Sequence, residues 1–196
     1  EYLGNNIEDI AKEKAGIIKE NQKVITAAQN DKVLKILKEK AKNKNAKLIN
    51  VHEKFKWKRK ENNYNYQRFS VKSKNTSYDI QLSLLGEYQI TNTLTALGII
   101  ECLRENFPVN KNDVIESLKN VKWPGRLEIV NKEPTVILDG SHNEEGIQKL
   151  KEEINTFKYN KLIVVLSVLR YKDISIIIRN LSKIADKIIL SKNKNE

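Results

Sequence analysis

The strongest constraint on the fold comes from the segment around Pro124. The motif W-P-G-R-L-E at residues 123–128 leads into an apolar run, V-I-L at 136–138, which places Asp139 at the end of a predicted strand. A glycine follows, and then the polar triplet S-H-N at 141–143, where a helix is predicted to begin. In an open α/β sheet, ligands bind beyond the carboxyl ends of the strands. The pattern therefore predicts an α/β domain with a ligand site at this edge.

The chemistry of this edge suits a phosphate-containing ligand. A helix that begins there offers unpaired backbone N–H groups to phosphate oxygens. Arg126 lies just upstream, and its planar guanidinium group can bind two phosphate oxygens at once. We interpret the segment as a nucleotide or phosphoanhydride site.

The secondary-structure pattern changes at Pro124-Gly125, which predicts a domain boundary near residues 122–125. Beyond the boundary, strands are predicted at about 127–130, 135–139, 161–169 and 187–190, and helices at about 144–156 and 173–184. This alternation indicates a parallel sheet with covering helices. Before the boundary, helices are predicted at about 6–15, 31–43, 90–105 and 112–120, strands at about 24–27 and 47–51, and antiparallel strands or a hairpin within 53–84. Asn6 and Asn112 are the predicted N-caps.

Composition excludes several classes of protein. The chain has no run of about 18 apolar residues, so no membrane span is predicted. The single cysteine, Cys102, excludes an internal disulfide and a cysteine-clustered zinc site. Cys102 lies in an apolar helical pattern and is predicted to be a buried packing residue. The absence of a disulfide framework suits a reducing cytoplasm.

The net charge of +11 raises the question of nucleic-acid binding. The densest basic segment is K-F-K-W-K-R-K at residues 54–60, where aromatic and cationic residues alternate as they do in single-strand binders. The same alternation describes a strand with one apolar and one solvated face, and this interpretation is favoured. A basic surface also attracts polyanionic substrates such as ATP.

Three blocks of the chain carry a resemblance in a fixed order. They are E-K-A-G-I-I-K at residues 13–19, within the longer block 1–19; L-G-E-Y-Q-I-T-N at 85–92; and W-P-G-R-L-E at 123–128 with D-G-S-H-N at 139–143. Together they resemble the folylpolyglutamate synthase/dihydrofolate synthase family, a branch of the Mur-type ATP-dependent amino-acid ligases.

This resemblance implies an α/β fold in two parts. Residues 1–122 correspond to the C-terminal portion of a Mur-ligase-like central ATP-binding domain, and residues 123–196 to an incomplete Rossmann-like C-terminal domain, the glutamate ligase domain. The phosphate-binding pattern G-x-x-x-x-G-K-[ST] does not occur in the chain. We therefore expect a fragment that lacks the N-terminal P-loop region and the extreme C-terminus, and that is inactive alone.

The resemblance also implies the reaction. It is an ATP- and Mg²⁺-dependent ligation of L-glutamate to a folate or dihydropteroate carboxylate through an acyl phosphate, by a cytoplasmic monomer with no nucleic-acid or membrane partner. Dihydrofolate synthase, folylpolyglutamate synthase and a bifunctional enzyme all fit. Other Mur-type ligases, of the peptidoglycan or cyanophycin type, and a non-catalytic basic module that binds nucleic acid are the alternatives.

Five residues match the family's functional positions. Lys14 matches a lysine commonly carbamylated to become an oxygen ligand of Mg²⁺. Asn92, Arg126 and Asp139 match nucleotide-binding positions. His142 matches a position that contacts phosphate or the incoming glutamate, so Lys14 and His142 are the expected catalytic residues and His142 also a nucleotide-binding one.

Each position also has an ordinary structural interpretation. Lys14 suits an exposed helix end, Asn92 a helix N-cap or first-turn amide, Arg126 an ion pair with Glu128, and His142 a cap of the following helix. The chain departs from the family pattern at Tyr88, usually His, and at Ser141, usually Ala. The stretch 166–173 faintly resembles a family turn near the glutamate side of the cleft, without a specific role.

Overall fold

A computed structural model of the protein describes residues 6–104, 106–169 and 174–192. Within them the helices are α1 (Ile7–Ala15), α2 (Asp31–Asn43), α3 (Val51–Lys54), α4 (Glu87–Leu103), α5 (Lys111–Asn120), α6 (Glu144–Ile154) and α7 (Ile174–Leu181). The strands there are β1 (Lys23–Thr26), β2 (Lys47–Asn50), β3 (Lys56–Asn62), β4 (Gln67–Lys72), β5 (Ser77–Leu82), β6 (Glu128–Lys132), β7 (Thr135–Leu138), β8 (Ile163–Leu166) and β9 (Lys187–Leu190). The predicted α/β class is confirmed.

The described residues form two compact units. The first contains the chain up to Ser83 together with Gln89–Val121, and the second contains Leu84–Tyr88 together with the chain from Lys122 onward. The short segment Leu84–Tyr88 therefore belongs to the second unit although the first surrounds it in sequence. Helix α4 begins in the second unit and continues in the first, a division that the sequence pattern does not predict.

Helices α1 and α2 lie where their sequences predict, because each has a strong local start signal. The side-chain oxygen of Asn6 accepts a hydrogen bond from the Asp9 N–H at 2.9 Å, and α1 ends just before Gly16. Asn30 caps α2 in the same way. Such caps satisfy N–H groups that the first helical turn leaves without backbone partners. The strand after each helix, β1 and β2, pairs with the other in parallel.

Strands β3, β4 and β5 form an antiparallel sheet with one covered and one solvated face. Phe69 and Ile80 are fully buried on the covered face. The Trp57 ring lies on the same face and meets Phe69 edge-on, with ring centroids 6.3 Å apart. The lysines that alternate with Trp57 are exposed. The strand interpretation of the basic segment is thus confirmed from Lys56 onward, whereas Lys54 is the last residue of α3. Three described strands occupy the region 53–84.

Helix α4 is the main buried helix of the first unit. Its core-facing side chains, all at most 1% exposed, are Ile90, Leu94 and Leu97. Helix α5 begins at Lys111, with the extended residue Asn110 at the cap position, so the prediction that Asn112 is the N-cap is wrong. A cap residue needs extended backbone angles, and Asn112 already lies inside the helix.

The described residues of the second unit form two pairs of strands. Strands β6 and β7 are antiparallel, so the prediction that they belong to a parallel sheet is wrong. The connection between them is too short for the crossover that parallel strands require. Strands β8 and β9 do pair in parallel. The buried cluster beside this pair consists of Ile147 from α6, Leu166 from β8, and Ile177 and Leu181 from α7. The apolar side chains left exposed on the two strands are Ile163, Val165, Ile189 and Leu190.

Two further predictions concern single features. No helix among the described residues is long and apolar enough to cross a membrane. Cys102 lies in α4 and is half-buried, which is less burial than its apolar neighbours in sequence predict.

Candidate functional site

The candidate site in the second unit is built from two segments that the side chain of Asp139 joins. Asp139 directly follows β7, as predicted, and is half-buried. One of its carboxylate oxygens accepts from the Leu127 N–H at 2.9 Å, and the other accepts from the Ser141 N–H at 2.9 Å. The Gly140 N–H also donates to the Gly125 carbonyl oxygen at 2.8 Å. The W-P-G-R-L-E and D-G-S-H-N motifs are therefore held against each other.

The backbone around Arg126 forms a bend with two left-handed residues. Gly125 has φ +70° and Leu127 has φ +48°. A bulky residue rarely adopts this conformation, which favours glycine. Leu127 is held there because its side chain is only 2% exposed, in an apolar cluster with Leu85 and Ile154.

Arg126 lies at the apex of this bend and is exposed. Its guanidinium group makes no hydrogen bond or ion pair with any residue that the structure describes. The carboxylate of Glu128 instead accepts from the Gly125 N–H at 2.7 Å. The interpretation of Arg126 as the ion-pair partner of Glu128 is therefore wrong, because that carboxylate bonds to the backbone.

The start of α6 provides the other half of the site. Asn143 is the N-cap, and its side-chain oxygen accepts from the Gly146 N–H at 2.8 Å. The cap interpretation of His142 is therefore wrong. The Nδ1 atom of the exposed His142 lies 2.9 Å from the Gly140 carbonyl oxygen. Because a carbonyl only accepts, this contact requires the proton on Nδ1 and leaves Nε2 of the neutral ring as an acceptor.

Gly146 allows the loop to approach the first turn of α6. A Cβ atom at this position would lie 2.9 Å from the Asn143 side-chain oxygen and 3.1 Å from the Ser141 hydroxyl. Any larger residue would displace one of these two side chains. The second unit thus presents a guanidinium group, an imidazole and a capped helix start, a set of groups suited to anionic oxygens.

Lys14 and Asn92 belong to the first unit. Lys14 is exposed in the last turn of α1, where a cation is favoured by the helix dipole. Asn92 is exposed in the second turn of α4, and its side-chain amide donates to the Gln89 side-chain oxygen at 2.8 Å. Its interpretation as an N-cap or first-turn amide is therefore wrong. Both side chains are accessible to a ligand.

One buried carboxylate of the second unit had no sequence signal. Glu153 in α6 is only 8% exposed, and its carboxylate accepts from the Glu87 N–H at the start of α4. A carboxylate at a helix N-terminus interacts favourably with the positive end of the helix dipole. This bond and the burial of Leu85 fix the L-G-E-Y segment in the second unit. Next to it, Gly86 has φ +97° and lies against the Tyr88 ring.

Two sequence predictions fall partly on residues outside the description. Residues 170–173, which complete the turn predicted at 166–173, lie outside the described residues. So do the first five residues of the block 1–19.

Comparison with known proteins gives consistent matches over both units. The chain matches the Mur ligase middle domain over residues 1–100 and the Mur ligase, glutamate ligase domain over residues 125–196. The dihydrofolate synthase/folylpolyglutamate synthase of Bacillus subtilis is 37% identical over 190 residues, which cover 95% of this chain and 44% of that protein.

Solved structures extend the match to the fold. Mycobacterium tuberculosis folylpolyglutamate synthase, complexed with ADP and AMPPCP, is 30% identical with a TM-score of 0.88, over 99% of this chain and 45% of that one. Folylpolyglutamate synthase from Thermotoga maritima is 30% identical with a TM-score of 0.82, over 97% of this chain and 45% of that one. The chain therefore spans less than half the length of these relatives.

Proposed function

The chain belongs to the Mur ligase family, with the middle domain followed by the glutamate ligase domain. On this premise we propose that the whole protein is an ATP-dependent ligase that joins L-glutamate to a carboxylate of a folate or of dihydropteroate. The named relatives support this substrate class. In the same proposal residues 1–122 form the C-terminal portion of the ATP-binding domain and residues 123–196 the glutamate ligase domain, in a cytoplasmic monomer.

The proposed reaction has two steps. An oxygen of the acceptor carboxylate attacks the γ-phosphorus of ATP, the bond from that phosphorus to the bridging oxygen breaks, and ADP leaves with an acyl phosphate formed. The amino group of glutamate then attacks the acyl carbon, phosphate leaves, and the nitrogen loses a proton to give the amide. Catalysis of phosphoryl transfer depends mainly on positioning and on neutralising negative charge.

The observation that carries the proposal is the presentation of Arg126. Its guanidinium group is exposed at the apex of a hydrogen-bonded bend, and no described carboxylate neutralises it. A guanidinium group so held binds phosphate oxygens in pairs. In this proposal Asp139 and Asn92 contact the nucleotide, and His142 contacts phosphate or the incoming glutamate through Nε2.

Mg²⁺ is the metal that the proposal implies, and its chemistry would be to neutralise phosphate charge. Carbamylated Lys14 would supply one oxygen atom, the ligand type that Mg²⁺ prefers. Among the described residues no three His, Cys, Asp or Glu side chains form a group that could hold a metal ion. The proposal therefore assigns one metal ligand, carbamylated Lys14, to the described residues. It assigns no reaction step to the metal.

The test is glutamate-dependent release of ADP by the whole protein, with dihydropteroate and a reduced monoglutamyl folate compared as acceptors. We expect turnover with at least one acceptor, and the preferred acceptor identifies the activity. Arg126→Ala should raise the KM for ATP about tenfold or more, the scale of a lost charge-assisted hydrogen bond. Arg68→Ala, which removes the same charge from the solvated face of β4, should not. Absence of ADP release from the folded protein would refute the proposal.

A nucleic-acid-binding module is the alternative from a different class. Single-strand binders stack bases on exposed aromatic rings. In the basic segment the Trp57 ring instead lies on the covered face of the sheet against Phe69. The geometry of Trp57 therefore does not favour this alternative in the basic segment, and the other Mur-type ligases are the nearer competitors.

A further inference from the structure

The bend at Arg126 is held by hydrogen bonds on both sides of the arginine. Before Arg126, the Gly125 N–H donates to Glu128 at 2.7 Å and the Gly125 carbonyl accepts from Gly140 at 2.8 Å. After Arg126, the Leu127 N–H donates to Asp139 at 2.9 Å. Both peptide units that flank the arginine are therefore held by hydrogen bonds.

This conformation needs such support because it is locally unfavourable. Leu127 has φ +48°, a value that bulky L-residues rarely adopt. Conformations of this kind persist only where the surroundings impose them, and they are concentrated at functional sites. The burial of the Leu127 side chain fixes the position of the bend, and the two carboxylates fix its backbone.

We propose that Glu128 is a positioning residue for Arg126. Its carboxylate holds the Gly125 N–H and so keeps the backbone in the conformation that presents the guanidinium group outward. Because the Glu128 oxygen binds the backbone N–H and not the guanidinium group, Arg126 stays available to an anionic ligand. The proposal rests on the proposed function, in which that ligand is the phosphate chain of ATP.

The proposed role of Glu128 depends on its hydrogen bond to the Gly125 N–H and not on its negative charge. This distinguishes it from a purely electrostatic role. A glutamine at position 128 removes the charge but keeps a side-chain oxygen that can accept from the Gly125 N–H. An alanine removes both. The two substitutions therefore distinguish a hydrogen bond that holds the bend from a negative charge that merely lies near Arg126.

The experiment compares Glu128→Ala and Glu128→Gln in the whole protein. We expect Glu128→Ala to raise the KM for ATP about tenfold with kcat changed less than about threefold, because a charge-assisted hydrogen bond is lost. Glu128→Gln should stay within about threefold of the wild type, since it retains the acceptor. Hydrogen exchange of peptides covering residues 123–128 should accelerate in the alanine variant only.

Glu116→Ala is the matched control, since Glu116 is an exposed residue of α5 that pairs with Lys119 at the surface. It should change neither the KM for ATP nor the exchange of the bend. If both Glu128 variants raised the KM for ATP equally, the negative charge and not the hydrogen bond would be responsible, and the proposal would be overturned. A wild-type KM for ATP in Glu128→Ala would also overturn it. If the wild type releases no ADP, the proposed function fails, while the exchange data still decide whether Glu128 holds the bend.

Discussion

Replacing Gly98 with alanine would measure how closely helix α4 packs against its neighbours. Gly98 is buried, and a Cβ atom there would lie 3.1 Å from Ile25 Cγ2 and 3.3 Å from Val51 Cγ1. Both distances are shorter than an ordinary contact between carbon atoms. Both neighbours are branched at Cβ and therefore rotate poorly about χ1. Val51 is also fully buried, so it has little room to move.

Two opposing terms set the magnitude. Alanine inside a helix is more favourable than glycine by about 1 kcal/mol. Forcing a methyl group into a packed core costs about 1–3 kcal/mol. Because both neighbours are stiff at χ1 and Val51 is fully buried, we expect the packing term to win. Gly98→Ala should then lower the free energy of unfolding by about 1 kcal/mol.

The assay is urea unfolding followed by the fluorescence of Trp57 in the first unit. The substitution Trp123→Phe removes the other tryptophan, which is 63% exposed and contributes little packing. With a urea slope of about 1–2 kcal/mol/M, the midpoint should fall by roughly 0.5–1 M. Ala96→Gly, at an exposed position of the same helix, measures the helix-propensity term alone.

A second substitution tests the cause. Ile25→Leu moves the branch of the side chain away from Cβ and removes the Cγ2 atom that the new methyl would meet. Combined with Gly98→Ala, it should recover most of the loss, as a favourable coupling energy in a double-mutant cycle. If Gly98→Ala instead raises stability by about 1 kcal/mol, the gain equals the propensity term, and the reasoning from packing is refuted.

Three further predictions concern other features. Glu101→Ala should lower stability by about 2–3 kcal/mol in urea unfolding, because it strands the partly buried partner Lys54, 2.8 Å away. Burial raises the pKa of Tyr78 above its usual value, so the unfolded state loses its proton first as pH rises above about 10. Stability should therefore fall above that pH, and Tyr78→Phe should flatten the fall in unfolding experiments at pH 8–11. Val165→Thr, on the exposed side of β8, should reduce concentration-dependent self-association in light scattering.

Each of these has a clear contrary result. Asp79→Ala breaks the exposed ion pair with Lys60 and should cost less than about 1 kcal/mol, so an equal loss at Glu101 would show that burial does not strengthen its pair. An unchanged pH profile in Tyr78→Phe would assign the alkaline loss to other groups. Unchanged scattering of Val165→Thr would show that this side of β8 is not a self-association surface.

The features that the sequence predicts well are those decided within a few residues. The cap at Asn6 is an example, because its partner N–H lies only three residues away. The start of α5 shows the limit of the same signal. Asn110 and Asn112 stand two residues apart, and composition alone does not say which of two asparagines adopts the extended cap conformation.

Strand direction was harder, although a signal was present. Alternation and apolar content are the same for parallel and antiparallel strands, so the pattern at β6 and β7 gave no direction. The length of the connection does indicate the direction, because parallel neighbours need a dozen or more linking residues. Strands predicted at 127–130 and 135–139 leave too few, and this argument correctly gives the antiparallel pair that the structure contains.

The residues of the site could be predicted from motifs, but the backbone conformation and the long-range contacts that hold them could not. Arg126, Asp139 and His142 were found because they stand in recognisable motifs, and the structure brings their segments together within the second unit. The left-handed conformation of Leu127 has no sequence signal, because nothing in a leucine favours φ +48°. The bond of Glu153 to the Glu87 N–H has no sequence signal either, since the two residues are 66 positions apart.

The position of Leu85 has a consequence for the order in which the protein is made. Leu85 packs with Leu127 and Ile154, which leave the ribosome after it. The first unit can gather most of its residues once Val121 has emerged, but at that moment the Leu84–Tyr88 segment still lacks its partners. The start of helix α4 must therefore wait, exposed, until α6 has been synthesised. If the chain were cut after Val121, the start of α4 in the N-terminal fragment would never meet its partners. The C-terminal fragment would lack Leu85 in its apolar cluster.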